Sequence, residues 1–158
     1  MFWNKNKFFM QNSLSTKHSL SVIFNMPDSK QMICITNVYG PQRIQEKFKM
    51  LEDLNEIQQH HGANHWILGG DFNMITTLAE KKGGLRRLDK DAEAFKTFIA
   101  ASRLIDVPTV NGLHTWNNKH GGNRQVASRL DRFLISESIM LQNIHMEANI
   151  LPIGGSYH

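Results

Sequence analysis

Asp71 and Asn73 stand two positions apart, just after Trp66-Ile67-Leu68-Gly69-Gly70, a short apolar run that ends in two glycines. A carboxylate can accept a proton or orient a water, and a carboxamide can hydrogen-bond a phosphate oxygen. The pattern predicts a buried strand that stops at the glycines and delivers both side chains to the mouth of a sheet. In open α/β folds the carboxyl ends of strands are where ligands sit. The plainer alternative is a glycine turn in which Asp71 and Asn73 cap local amides.

Other residues of the same chemical kind follow a fixed order. Asn37-Val38-Tyr39-Gly40-Pro41 ends a β-branched run upstream. The Tyr39 phenol could donate to a phosphate or approach a leaving oxygen, or be an ordinary tyrosine at the edge of a core. Downstream come His114-Thr115-Trp116, then Ser128-Arg129-Leu130-Asp131-Arg132-Phe133, and Ser156-Tyr157-His158 at the end. Asp131 shares strand parity with Phe133 and Ile135, and a carboxylate on an apolar face needs a partner. Arg129 or Arg132 could be that partner. Trp116 is read as core. His60, His61, His65, His114 and His120 show no zinc-ligand spacing with cysteine or carboxylate and are read as surface or structural. Cys34 lies in an apolar strand, where a buried inert thiol is the expectation.

Taken together and in this order, the motifs resemble the endonuclease/exonuclease/phosphatase superfamily. The closest likeness is to the endonuclease domain of plant LINE-type (non-LTR) retrotransposons. Trp3-Asn4-Lys5 also resembles the segment before the second half of that domain. The resemblance implies a metal-dependent phosphodiesterase of the DNA endonuclease type, with Mg2+ as cofactor and DNA as partner. It casts Asp71 as the residue that orients or deprotonates water and Asn73 as a donor to a phosphate oxygen. Tyr39 and Thr115 would lie beside the scissile phosphate, and Asp131 would pair with His158.

The chain departs from the family pattern in its metal ligands. Nothing before Tyr39 supplies the family's strand Asn or its metal-holding Glu, since the first Glu is Glu46. Tyr157 stands where the family has a metal-linked Asp, and a phenol is neutral near pH 7. No residue is therefore assigned to metal. The expectation is a single partial domain over residues 1–158, truncated at both ends and impaired in catalysis. The alternatives are a non-catalytic retrotransposon-derived remnant that binds nucleic acid weakly, or a phosphoesterase of the same superfamily acting on small substrates.

Composition sets the frame for the elements that must position these residues. With 158 residues, 41% hydrophobic and 20% charged, one globular domain is expected and wholesale disorder is not. A net charge of +4 and a pI near 9.3 give mild support to a polyanionic partner. No apolar run approaches a membrane span or a signal peptide, so no membrane partner is expected. The single cysteine excludes an internal disulfide, and no disulfide-linked partner is expected. An intracellular location, the nucleus included, is the inference.

Strands are predicted over 17–25 and 31–39 as a hairpin turning at Met26-Pro27-Asp28-Ser29-Lys30, the second of them covered on both faces. A helix is predicted over 42–60, with Ile44, Phe48, Leu51, Leu54 and Ile57 or Gln58 as its apolar stripe and Gly62 closing it. A strand at 65–68 comes next, then a basic glycine-bearing loop over 76–89, read as solvated or as phosphate-contacting. A helix over 90–103 would bury Phe95, Phe98, Ile99 and Ser102, capped by Asp89 or Asp91. Further strands are expected at 112–117, 128–136 and 146–152, with a short helical piece around 137–143. The first sixteen residues show no period and are expected to dangle. The fold class is α/β (α+β). By resemblance it is an incomplete four-layered α/β sandwich, with two mixed β-sheets flanked by helices.

Overall fold

The computed structural model describes residues 4–26, 31–61, 65–85, 87–142 and 146–151. Among these residues nine strands and three α-helices form in the order β1 (Phe9–Ser15), β2 (Ser19–Met26), β3 (Gln31–Tyr39), α1 (Ile44–His61), β4 (His65–Asp71), β5 (Lys81–Lys82), α2 (Lys90–Ala101), β6 (Leu104–Asp106), β7 (Trp116–Asn117), β8 (Ala127–Ser128), β9 (Asp131–Ser136) and α3 (Glu137–Met140). A six-stranded mixed sheet runs β1-β2-β3-β4-β9-β6, and a three-stranded sheet runs β5-β8-β7. Among the described strands, only β3 and β4 are parallel neighbours. Parallel neighbours need a crossover, and α1 is that crossover.

The two faces of the large sheet differ. Cys34, Val38, Trp66, Leu68 and Leu134 pack in one cluster with Met50, Leu51, Leu54 and Ile57 of α1 and Phe95 and Phe98 of α2. The opposite face is covered near β6 and β9, where Ile135 meets Val107, Ile139 and Ala148. Val22 and Phe24 of β2 are also buried on it, Phe24 with the Phe8 ring 5.7 Å away, but toward the Tyr39 end it is open: Leu20, Phe133 and Tyr39 are 39%, 52% and 67% exposed. The expectation that β3 is covered on both faces is thus only half met, because Ile33 and Ile35 are half-buried while Cys34, Thr36 and Val38 are buried.

Several boundaries move. The first sixteen residues do not dangle, because β1 pairs antiparallel with β2, with one register irregularity between Met10 and Asn12. The strand expected over 128–136 is two strands in two different sheets, with Arg129 and Leu130 at the bend between them. β6 was not expected. The strand expected over 112–117 shrinks to Trp116 and Asn117, and that over 146–152 to a single bridge between Thr109 and Ala148. β4 does not stop at the glycines but runs through both to Asp71.

The stripe of α1 is rotated from its sequence reading. Met50 and Lys47 are buried, and Ile44 is 41% exposed. Lys47 can turn inward because its ammonium meets Asp91 at 2.6 Å. Asp91 is therefore an ion-pair partner, not a cap. Asp89 is the N-cap residue of α2 but makes no side-chain cap bond, its carboxylate being held by Arg87 at 2.9 Å. The turn at 27–30 and Gly62 lie outside the described residues.

Candidate functional site

The register of three neighbouring strands builds the site. Tyr39 pairs with Asp71 across β3 and β4, and Asp71 pairs with Asp131 across β4 and β9. Residues directly opposite on adjacent strands project to the same face. Tyr39, Asp71 and Asp131 therefore form one row on the open face, each about 5 Å from the next. One residue-pair inward on that face the row is Asn37, Gly69 and Phe133.

The two glycines serve this row in different ways. A Cβ on Gly69 would meet the Phe133 ring at 2.6 Å, so the first glycine is the seat of that ring. Gly70 has φ 140, and a Cβ there would lie 2.0 Å from the Val38 carbonyl oxygen. Only glycine takes that backbone without strain. The glycines therefore let β4 run on to Asp71 while packed against both neighbours.

Past the strand the chain turns sharply. Phe72 is fully buried, its ring 5.1 Å from that of Phe95. Asn73 takes a left-handed backbone at φ 51. Its amide donates to Asp71 Oδ1 at 2.8 Å, and its Nδ2 donates to the Gly40 carbonyl at 2.7 Å. The turn-capping alternative is thus realised in the geometry. It occupies one oxygen of Asp71 and directs the Asn73 amide nitrogen to the backbone.

Thr115 is tied to Asp131 through the backbone. Its Oγ1 accepts from the amides of Leu130 and Asp131, both at 3.0 Å. Phe72 N donates to the Leu130 carbonyl at 2.9 Å, so the Asp71 loop and the bend before Asp131 are stitched together. Tyr39, Asp71, Asn73, Thr115 and Asp131 converge at one end of the large sheet. His158, Tyr157 and Ser156 lie outside the described residues, as does any Asp131–His158 pair.

Asp131 is exposed, and its carboxylate is not paired with either neighbouring arginine. Arg129 and Arg132 turn the other way. Arg132, with a fully buried side chain, donates to Glu80 Oε2 at 2.5 Å, to Asp106 Oδ2 at 2.6 Å and to the Met74 carbonyl. Arg129 holds both oxygens of Asp106, the Val107 carbonyl and Glu80 Oε1. Arg132 also lies 5.5 Å over the Phe95 ring. Burial pushes the Glu80 carboxyl up, but the Arg132 hydrogen bond and the Thr76 amide outweigh it and hold it down to about 2. Burial lowers Arg132, and its two carboxylates more than restore it, leaving it raised.

This four-charge cluster was not read from the sequence. Its signal was the parity of Arg132 with Leu134, since an arginine on the buried side of a strand needs carboxylates. Glu80 and Asp106 were the acids within reach once the chain folded.

Other sequence readings also resolve. Trp116 is 43% exposed rather than core. His65 is buried and structural, bonded to Ser138 Oγ and Gln31 Oε1 at 2.9 Å each. Burial pushes the Cys34 thiol up, as suits an inert group. In the basic loop, Lys81 turns back to the Leu85 carbonyl at 2.9 Å. Among the described residues no group of three or more His, Cys, Asp or Glu could hold a metal ion. Asp71 and Asp131 offer two adjacent carboxylates, which alone do not make a magnesium site. No helix among the described residues is long and apolar enough to cross a membrane.

The sequence matches the endonuclease/exonuclease/phosphatase family over residues 14–158. No curated protein sequence matches it significantly. Among solved structures it is similar to the endonuclease domain of TRAS1, a telomere-specific non-LTR retrotransposon, at 17% identity and a TM-score of 0.64, covering 84% of this chain and 57% of that one. It is similar to the 3′ phosphatase NExo from Neisseria, bound to a product DNA hairpin, at 14% identity and a TM-score of 0.61, covering 85% and 61%. A mannosyl-6-phosphatase of Bacteroides thetaiotaomicron follows at 16% identity and a TM-score of 0.53, covering 86% and 55%. The chain thus spans little more than half the length of these structures, and at such identities they speak for the fold. The family match runs over most of the chain and takes in every motif of the row, and the chain belongs to the endonuclease/exonuclease/phosphatase family.

Proposed function

We propose that this chain carries the phosphodiester-facing part of a DNA endonuclease-type site, and that as given it turns over slowly or not at all. The observation that supports this is the single row of Tyr39, Asp71 and Asp131 on an open sheet face. In this reading Asp71 orients or deprotonates the attacking water. The Tyr39 phenol, 67% exposed on the same face, donates to a phosphate oxygen or to the leaving group. Thr115 keeps its hydroxyl proton for substrate while its oxygen holds the backbone of Asp131. Asn73 donates to a phosphate oxygen through the Nδ2 hydrogen that the Gly40 carbonyl does not take. The family resemblance would add His158 as the partner of Asp131, a pairing outside the described residues. Magnesium is the family expectation, and no step is assigned to it here, because the described residues do not form its ligand set.

A weak enzyme is favoured over a strong one by charge. A phosphodiester approaching Asp71 and Asp131 meets two adjacent carboxylates, and transition-state charge needs compensation. Hence the second reading, a non-catalytic remnant that binds nucleic acid weakly. Supercoiled plasmid with the purified chain and magnesium separates them. Slow nicking that Asp71→Ala abolishes supports the impaired enzyme, and binding without nicking supports the remnant. Robust nicking indifferent to Asp71→Ala, Tyr39→Phe and Asp131→Asn sinks the assignment of this row.

A further inference from the structure

At the far end of the sheet from the Tyr39 row, Cys34, Ile57, Trp66 and Leu141 line a cavity of about 320 Å3 whose wall also carries Arg103 and Glu137. That volume lies within the range of small-molecule sites, roughly 300–1,000 Å3. The lining joins an apolar floor to polar groups, with Gln58, Ser102, Ser136 and Ser138 beside the two charges.

Arg103 is the unusual member. It follows Ser102, the C-cap of α2, and has φ 49. Helices favour glycine at that left-handed position, because any Cβ strains there. Folding alone would be better served by Gly. The Arg103 carbonyl accepts from the Glu137 amide at 3.1 Å, so the two residues stand side by side at the rim. Neither side chain makes an ion pair among the described residues, with each other or with a third group. An exposed cation and an exposed anion, neither in an ion pair, thus stand together at the mouth of the cavity.

We propose that this cavity binds a small zwitterion with an apolar body, of the chemical class of a free α-amino acid with a large aliphatic or thioether side chain. The carboxylate meets the Arg103 guanidinium, the ammonium meets Glu137, and the side chain fills the floor against Trp66, Ile57 and Cys34. A molecule with one charge makes only one of the two ionic contacts. One with no apolar body leaves the floor wet. The proposal is independent of the phosphoester reading, because none of its residues belongs to the Tyr39 row.

Cys34 is the chain's single cysteine and lines this cavity, so its alkylation reports occupancy. Even if the thiol reacts only on opening of the fold, a ligand bound to the native state slows that opening in proportion to its binding. The intact chain would be treated with iodoacetamide in the presence of L-leucine or L-methionine, with hexanoate and hexylamine as single-charge controls. The expected result is several-fold slower alkylation with the amino acids. The controls should need roughly tenfold higher concentration, the equivalent of one charge-assisted contact. Arg103→Gly should leave the thermal transition at or above its original temperature and weaken protection by about tenfold or more. Glu137→Gln gives a second variant should the first fail to fold, with the same loss expected. No protection by any amino acid, equal protection by hexanoate, or protection unchanged in both variants would each overturn the proposal.

Discussion

Asp131 and Arg132 are neighbours in sequence with opposite surroundings. One carboxylate faces solvent on the open side of the sheet, and the next side chain is fully buried among Glu80, Asp106 and the Phe95 ring. The strand's period of two makes the division unavoidable. Pinning the chain at Arg129 and Arg132 fixes where Asp131 points. Removing one charge from such a cluster leaves the others uncompensated, so Arg132→Met should cost about 3–5 kcal/mol in urea unfolding. The pH dependence follows from Glu80, whose folded carboxyl is lowered from 4.5 to about 2. A carboxyl held down on folding contributes stability that is complete above its unfolded value and lost as pH falls toward its folded value. The loss should run from just above pH 4.5 down to about 2 and amount to roughly 3 kcal/mol. Urea midpoints across that window should fall steeply for the parent chain. For Glu80→Gln they should start lower and fall less, and parallel curves would show that Glu80 is not the group responsible.

Elements carried by strong local pattern were legible, and those made by tertiary pairing were not. The β2–β3 pair, α1 and α2 follow from apolar period and turn residues, and each lies within a few residues of its expectation. β1 was missed because Phe9–Ser15 is outward-facing at nearly every position, so no alternation marks it. β6 is three residues long and forms only by pairing with β9. The row of Tyr39, Asp71 and Asp131 was legible as separate motifs; its register was not, because that depends on β4 running through Gly69 and Gly70. Gly70→Ala should therefore act on the element and not merely on the turn. With φ 140 and a Cβ 2.0 Å from the Val38 oxygen, it should cost on the order of 3 kcal/mol and shift the amide resonances of Val38 and Arg132. A neutral Gly70→Ala would mean β4 ends before Asp71. β1 also bears on association. It is an uncharged edge strand with Phe9 and Met10 more than half or half exposed. Such edges template pairing with other chains. Met10→Lys should lower the concentration-dependent self-association seen by light scattering while leaving the thermal midpoint unchanged.

At the scale of the whole molecule, charge and shape pull in different directions on the open face. The chain is basic at +4, yet the row at the centre of the proposed site presents two carboxylates side by side. Under the proposed function, DNA affinity would come from lysines and arginines away from the row, and the row itself would oppose it. Like charges directly opposite on adjacent strands also destabilise the sheet, by about 0.2–1 kcal/mol. Both effects can be read from one variant. Asp71→Asn with Asp131→Asn should tighten duplex binding in fluorescence anisotropy by several-fold at low salt and raise stability modestly. Binding of parent and variant should weaken together as salt rises, because counterion release from phosphate contacts governs both. The gain should shrink as screening shortens the reach of the two carboxylates, the Debye length being about 10 Å at 0.1 M. If the variant nicks no plasmid but binds more tightly, the carboxylates face the DNA and are there for chemistry. If its affinity equals the parent's at every salt concentration, DNA does not approach this face, and the proposed site is not where this chain meets nucleic acid.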